Sequence, residues 1–195
     1  MRAGVTVAIP SIPPRAALLA RAVGSAVHQS LPPSAISISV DNLRDGAAIN
    51  RQRALDAVDT EWTAFLDDDD EFYPMHIERL MCAALEQEAD YVYSYFDIAR
   101  GGDPLGHLGK VFDPGDIRQT TITVLVRTTL AKEVGFVQWT DDGQLIDGQR
   151  YGEDYAWTVG CVNAGGKLYH LPEQTWVWHR DNYESPNTSG RPDRW

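Results

Sequence analysis

The sequence predicts an α/β fold: a single domain with a mixed, mainly parallel central sheet flanked by helices. Three observations lead there. Short β-rich apolar runs alternate with segments of helical periodicity through the first hundred residues, which is the pattern of strand–helix–strand crossovers with parallel strands. The strand-like runs end in polar loops where such sheets place their ligands, outside the carboxyl ends of the strands. At 195 residues the chain is long enough for one sizeable core and short for two.

The elements follow in order. Val5–Ile9 is an apolar run stopped by Pro10, a buried strand opening into the loop Ser11-Ile12-Pro13-Pro14-Arg15. From Ala16 to Ser30 the positions Leu18, Leu19, Ala22, Val23, Ala26 and Val27 repeat at three and four, giving an amphipathic helix stopped before Pro32-Pro33. Ile36–Val40 is a second strand ending at Asp41-Asn42, and Ala47–Val58 a second helix. Trp62–Leu66 delivers a third strand to the same edge as the first two loops. Pro74 suits the first turn of a helix running to about Glu88, with Ile77, Leu80, Met81, Ala84 and Leu85 as its stripe. Tyr91–Phe96 is strand-like; Arg100–Arg118, rich in Gly, Pro and Asp, is loop. Ile122–Val126 returns to strand, Thr128 opens a short helix closed by Gly135-Phe136, and Gln138–Tyr151 is irregular. Gly152-Glu153-Asp154 leads a helix capped at Gly165-Gly166, Lys167–Leu171 and Thr175–Trp178 are two last strands, and the tail from Arg180 is polar.

A net charge of −11 argues against a nucleic-acid-binding surface. The two cysteines, Cys82 and Cys161, fall inside helical patterns as free thiols, pointing to a reduced, cytoplasmic setting. No run reaches the length of a membrane span and no apolar leader precedes Pro10, so neither an integral membrane segment nor a signal peptide is expected.

The chemistry concentrates at Phe65-Leu66-Asp67-Asp68-Asp69-Asp70, where an apolar run stops at four consecutive carboxylates. Strand alternation sends Asp67 and Asp69 to one side and Asp68 to the other. Adjacent anions at the mouth of a core repel unless something cationic offsets them, and all-oxygen ligands favour a hard divalent ion, Mg²⁺ or Mn²⁺ with a phosphorylated substrate, or Ca²⁺. A solvated acidic turn is the competing reading. An EF-hand loop is set aside because Phe72 stands where that loop needs Gly.

Val5-Thr6-Val7-Ala8-Ile9-Pro10-Ser11, Asp41-Asn42, Ala47-Ala48-Ile49-Asn50-Arg51, the acidic run and Gly152-Glu153-Asp154, taken in that order, resemble the family-two glycosyltransferases of the GT-A fold. The resemblance implies a Rossmann-like domain with a nucleotide-binding half over residues 1–100, an acceptor and catalytic half over 101–179 and a lid-like tail over 180–195. It implies a metal-dependent transfer from a nucleotide-diphosphate sugar to an acceptor hydroxyl, with inversion. The acceptor class stays open among glycan, protein and small molecule, as does the oligomeric state. Asp69 matches the metal-binding carboxylate, with Mn²⁺ or Mg²⁺ as cofactor and His179 as a further ligand. Asp67 and Asp68 match donor contacts. Pro10, Ser11, Ile12, Arg15 and Asp41 frame the nucleotide, and Arg44 and Asn50 approach the phosphates. Asp154 matches the catalytic base, and Glu153 and Trp139 are placed at the sugar or acceptor. Three departures stand out: Ile12-Pro13-Pro14 replaces the usual aromatic and Asn, the segment between Asp41 and Asn50 is short, and Val159-Gly160 stand near where an arginine often follows the Glu-Asp pair. A retaining transferase on the same fold and a non-catalytic carbohydrate- or protein-binding module are the alternatives. A sugar nucleotidyltransferase is disfavoured because the first loop has no Gly-rich basic stretch.

Overall fold

The computed structural model describes residues 1–98, 122–136, 144–146 and 149–179. The readings made for Arg100–Arg118, Trp139 and the tail from Arg180 lie outside those residues.

The backbone forms a seven-stranded sheet in the order β2-β1-β3-β6-β5-β9-β4. Its strands are β1 (Arg2–Ser11), β2 (Ala35–Val40), β3 (Thr60–Phe65), β4 (Glu71–Phe72), β5 (Tyr91–Ile98), β6 (Val124–Arg127) and β9 (Leu168–Trp178); β7 (Gln144–Ile146) and β8 (Gln149–Tyr151) form a separate antiparallel pair. Strands β1, β2, β3, β5 and β9 run one way, while β6 and β4 are reversed. The β2-β1-β3 unit is parallel throughout, so its three carboxyl-end loops share one edge of the sheet.

Alternation along β1 explains the two layers of core. Val5, Val7 and Ile9 face one side, where they pack with Ala22 and Ala26 of α1 (Ala16–Val27) and Ile77 and Leu80 of α3 (His76–Glu86). Ala8 faces the other side, with Ala54 and Leu55 of α2 (Ala47–Asp56), Leu130 and Ala131 of α4 (Thr128–Val134), and Trp157 and Cys161 of α5 (Glu153–Asn163). Phe65, Phe136 and Trp157 meet in this second layer, with Phe136 stacked on Trp157 at 4.8 Å. Gly4, at φ +116, lies at the irregularity where β1 shifts register against β3, and a Cβ there would come within 2.1 Å of Ser34 Oγ.

Several local expectations are corrected. The two last strands are one, β9, whose register against β5 slips between Ser94 and Phe96; Pro172, which lacks an N–H for the ladder, sits inside it and made the sequence look broken. Gln138–Tyr151 contains the β7–β8 hairpin. Glu71-Phe72, part of the acidic stretch's flank, pairs with Trp176 and Val177. Pro13–Arg15 forms a 3₁₀ turn ahead of α1. Val27 is exposed, and the α3 stripe holds at Ile77, Leu80 and Ala84 with Met81 packed against the core, but Leu85 is exposed while His76 and Ala83 are buried. Cys161 is buried, but Cys82 is exposed. Among the described residues no helix is long and apolar enough to cross a membrane.

Candidate active site

The site grows from the end of β3. Leu66 still donates its N–H to Ala8 O, and the chain then folds into a turn in which Asp70 N–H donates to Asp67 O at 3.1 Å. This turn adds a third carboxylate to the pair expected from alternation: ligand oxygens of Asp67, Asp69 and Asp70 lie within 4.8 Å of one another. Asp68 goes the other way. It accepts from Ser11 Oγ at 2.7 Å and from Arg15 at 2.9 Å, and Arg15 also lies 3.2 Å from Asp69. Arg21 supports the turn from α1, donating to the Asp69 carbonyl at 2.6 Å and pairing with Glu71 at 2.7 Å.

Crowding leaves its mark on the protonation of the cluster. Burial and the neighbouring Asp67 push the Asp69 carboxyl up to about 6, against the pull of Arg15. Burial, with Asp67 and Asp69, holds Asp70 well above the ordinary carboxylate range. Asp67, Asp68, Asp69, Asp70, Glu71, Glu153 and Asp154 thus gather around Arg15, Arg21 and Arg51, an excess of negative charge. Three converging carboxylates, all-oxygen donors in a site of excess negative charge, fit a hard divalent cation.

Arg51, a residue singled out only as part of the α2 stretch, joins the two acidic motifs. Its buried guanidinium reaches both carboxylate oxygens of Asp67 through one nitrogen, Nη2, at 2.8 and 3.0 Å, and pairs through Nη1 with Glu153 at the start of α5. Burial opposes its charge, but Asp67 and Glu153 hold it firmly ionised. Beside it stands Asp154, partly buried, with Oδ1 accepting from the Tyr155 N–H at 2.7 Å. Burial pushes its carboxyl up and Arg51 partly counters this. Gly152 makes room for it, since a Cβ there would come within 2.6 Å of Asp154 Oδ1. Together Arg51, Asp67, Asp70, Gly152, Glu153 and Asp154 line a cleft of about 270 Å³, completed by Phe96, Ile122, Thr123, Trp176 and Trp178.

The other residues named from the sequence are placed as follows. Pro10 and Ser11 end β1 beside Ser39 and Val40 of β2, and Ile12 precedes the 3₁₀ turn that carries Arg15. Asp41 is buried and holds its own loop: its oxygens accept from Leu43 N at 3.1 Å and Gly46 N at 3.0 Å. Burial works to raise its carboxyl, but the N–H groups of Gly46, Asp45 and Leu43, with Arg53, outweigh it and hold it low. Asn50 accepts from Ser39 Oγ at 2.6 Å and donates to Ser11 O at 2.8 Å, so its amide clamps the ends of β1 and β2 to each other. Arg44 is exposed in the β2–α2 loop at φ +62. His179 stands beside the acidic turn with its imidazole Nε2 3.0 Å from Glu71, and its backbone N–H donates to Asp70 at 3.1 Å.

Arg51 and Asp70 carry more of the site than the sequence reading gave them. The signal for Asp70 was the turn, which strand alternation does not anticipate. For Arg51 there was no local signal, because its pairing with Glu153 spans 102 positions.

No curated protein matches the sequence. Solved structures similar in fold include TarS 1–349 from S. aureus in complex with UDP-GlcNAc, with a TM-score of 0.70 at 16% identity, covering 92% of this chain and 58% of that one. The UDP complex of the same protein gives 0.68 at 17%, covering 92% and 60%. The chain therefore spans about three fifths of the length of those TarS structures. At this identity the likeness establishes the GT-A fold. The model of the family Glycosyl transferase family 2 matches residues 15–138, which contain Arg15, Asp41, Arg51 and the whole acidic turn, and the chain belongs to that family.

Proposed function

We propose that the chain is a metal-dependent, inverting glycosyltransferase that moves a sugar from a nucleoside-diphosphate donor to an acceptor hydroxyl. The observation that carries this reading is Arg51: by pairing with both Asp67 and Glu153 it brings the acidic turn and Asp154 to one cleft, so a donor on the turn and a base on α5 address the same space. The donor-binding complexes of TarS, UDP and UDP-GlcNAc, support a nucleotide sugar. A divalent cation held by Asp67, Asp69 and Asp70, Mn²⁺ or Mg²⁺, would supply charge neutralisation at the diphosphate as it departs.

The chain's own residues do the rest. The loops ending β1 and β2 hold the nucleoside, with the clamp from Asn50 fixing their separation. As the acceptor oxygen bonds to the anomeric carbon, the bond from that carbon to the diphosphate oxygen breaks, and the acceptor proton passes to the Asp154 carboxylate. Burial makes Asp154 a better base than an exposed aspartate, while Arg51 and the Tyr155 N–H keep it oriented and ionised.

The test is a panel of UDP-, GDP- and dTDP-sugars with Mn²⁺, read by nucleotide release and product configuration. One nucleotide class is expected to be preferred, with the anomeric configuration inverted. Asp154→Asn is expected to lower transfer by on the order of 10²-fold or more, with donor affinity changed only a few-fold. Full activity in that variant, or a product that keeps the donor's configuration, would replace the base role with a retaining mechanism.

A further inference from the structure

Resting on that reading, we infer that the end of the cleft built by Phe96, Thr123, Trp176 and Trp178 is the acceptor subsite, and that it takes an uncharged pyranoside. The sheet separates the two substrates. The nucleotide loops close β1, β2 and β3 in one half, whereas Phe96 lies on β5, Thr123 leads into β6, and Trp176 and Trp178 lie on β9, all in the other half. Asp67, Asp70 and Asp154 line the same cleft as these residues, where transfer would take place.

The lining selects the chemistry. Phe96 packs against Trp176 at 5.2 Å and edge-on against Trp178 at 5.5 Å, and Trp178 remains partly exposed. An indole face suits the C–H face of a pyranose, whose hydroxyls project from the rim. Among the described residues, two buried donors at the cleft have no hydrogen-bond partner, the Thr123 hydroxyl and the Trp176 indole N–H. Both are neutral groups suited to hydroxyls, and an unpaired buried polar group is costly enough to favour a hydroxyl, of a sugar or of a water that bridges to it, as its partner. The acidic groups of the cleft accept from hydroxyls in turn. Among the described residues lining it the sole cation is Arg51, already engaged by Asp67 and Glu153, so a carboxylate or phosphate on the acceptor ring would meet anions with no partner to offset them.

The experiment compares acceptors in the presence of Mn²⁺ and the preferred donor. A panel of methyl hexopyranosides is set against the corresponding methyl uronides and hexose 6-phosphates, and both glycoside formation and donor hydrolysis are measured. At least one neutral glycoside is expected to be used about tenfold or more better, in kcat/KM, than its charged counterpart. Trp178→Ala is expected to raise the KM for that glycoside and to lower the ratio of transfer to hydrolysis by about tenfold, and Trp178→Phe, which keeps an aromatic face, to recover most of it. A charged acceptor used as well as the neutral one, no neutral glycoside used at all, or an unchanged ratio in Trp178→Ala would overturn the subsite. Failure of the glycosyltransferase reading itself looks different: the parent chain would then neither hydrolyse nor transfer from any donor.

Discussion

Asp69 and Arg51 stand at opposite ends of the same electrostatic problem. Asp69 shares a turn with Asp67 and Asp70, and in the absence of a cation its carboxyl is pushed up to about 6. Asp69→Asn removes a ligand oxygen's charge but also relieves repulsion, so the variant is expected to fold at least as well as the parent while losing Mn²⁺-dependent nucleotide binding by 10-fold or more in calorimetry. Unchanged affinity would mean that Asp67 and Asp70 hold the ion without it. Arg51 is the reverse case. It is buried between two carboxylates that are themselves about a quarter exposed, so Arg51→Met leaves anions facing one another with partial access to water. A loss on the order of 3 kcal/mol in urea unfolding is expected, with Arg51→Lys intermediate because one ammonium replaces the two nitrogens, Nη1 and Nη2, that separately engage Glu153 and Asp67. A Met variant as stable as the parent would show the carboxylates to be screened by water despite their position.

Elements are tied together by a few buried polar side chains, and His76 is the plainest of them. It opens α3 fully buried, stacks on Phe72 of β4 at 3.9 Å and shares a 2.6 Å hydrogen bond with Thr175 of β9, which in turn meets Ser94 of β5. Burial lowers its pKa to about 3, so the folded chain keeps the ring neutral where the unfolded chain, near 6.5, takes up a proton. The contribution is therefore complete above pH 6.5 and falls as pH drops toward 3, by about 1.4 kcal/mol per unit below 6.5. Asp69 and Asp70, raised in the folded chain, pull the other way on acidification, so the measurement is the difference between the parent and His76→Asn. The parent's advantage in urea unfolding is expected to shrink between pH 6.5 and 4.5; an advantage independent of pH would place the proton on the ring in the folded state. This network explains why β4 escaped the sequence: two residues between an acidic turn and a proline carry no period, and only the partner strand β9 makes them a strand. Strands β1 and β3 were legible because their apolar residues are buried on both faces, and the half-exposed edge strand β2 because Ile36, Ile38 and Val40 alternate with serines, while β9 was split because Pro172 imitates a boundary.

Over the whole molecule, the sheet consists of a parallel β2-β1-β3 half and a β6-β5-β9-β4 half, which join along Trp62–Arg127, Thr63–Val126 and Ala64–Leu125. The acidic turn leaves β3 at this seam, and Arg51 and His179 reach it from α2 and from the end of β9. The motifs on single strand ends could be read from sequence because local pattern places them; the pairing across 102 positions between Arg51 and Glu153, and the orphan donors at Thr123 and Trp176, depend on how the halves meet and left no local trace. The seam also sets how the chain should respond to ligand. A cation bound by Asp67, Asp69 and Asp70 removes repulsion that destabilises both halves at once, and a nucleoside diphosphate adds contacts only when that repulsion is offset, so the two ligands should act together. At concentrations near 100 times the dissociation constant, Mn²⁺ with UDP is expected to add about 2.7 kcal/mol, a rise in Tm of roughly 5–10 °C in a chain of this size. Either ligand alone should give less than half that shift, and Asp69→Asn with both ligands should give no more than about half of it. An equal rise with UDP in the presence of a chelator would show that the diphosphate is held without metal, with Arg15 and Arg21 the cations that contact the acidic turn from α1 and its approach among the described residues.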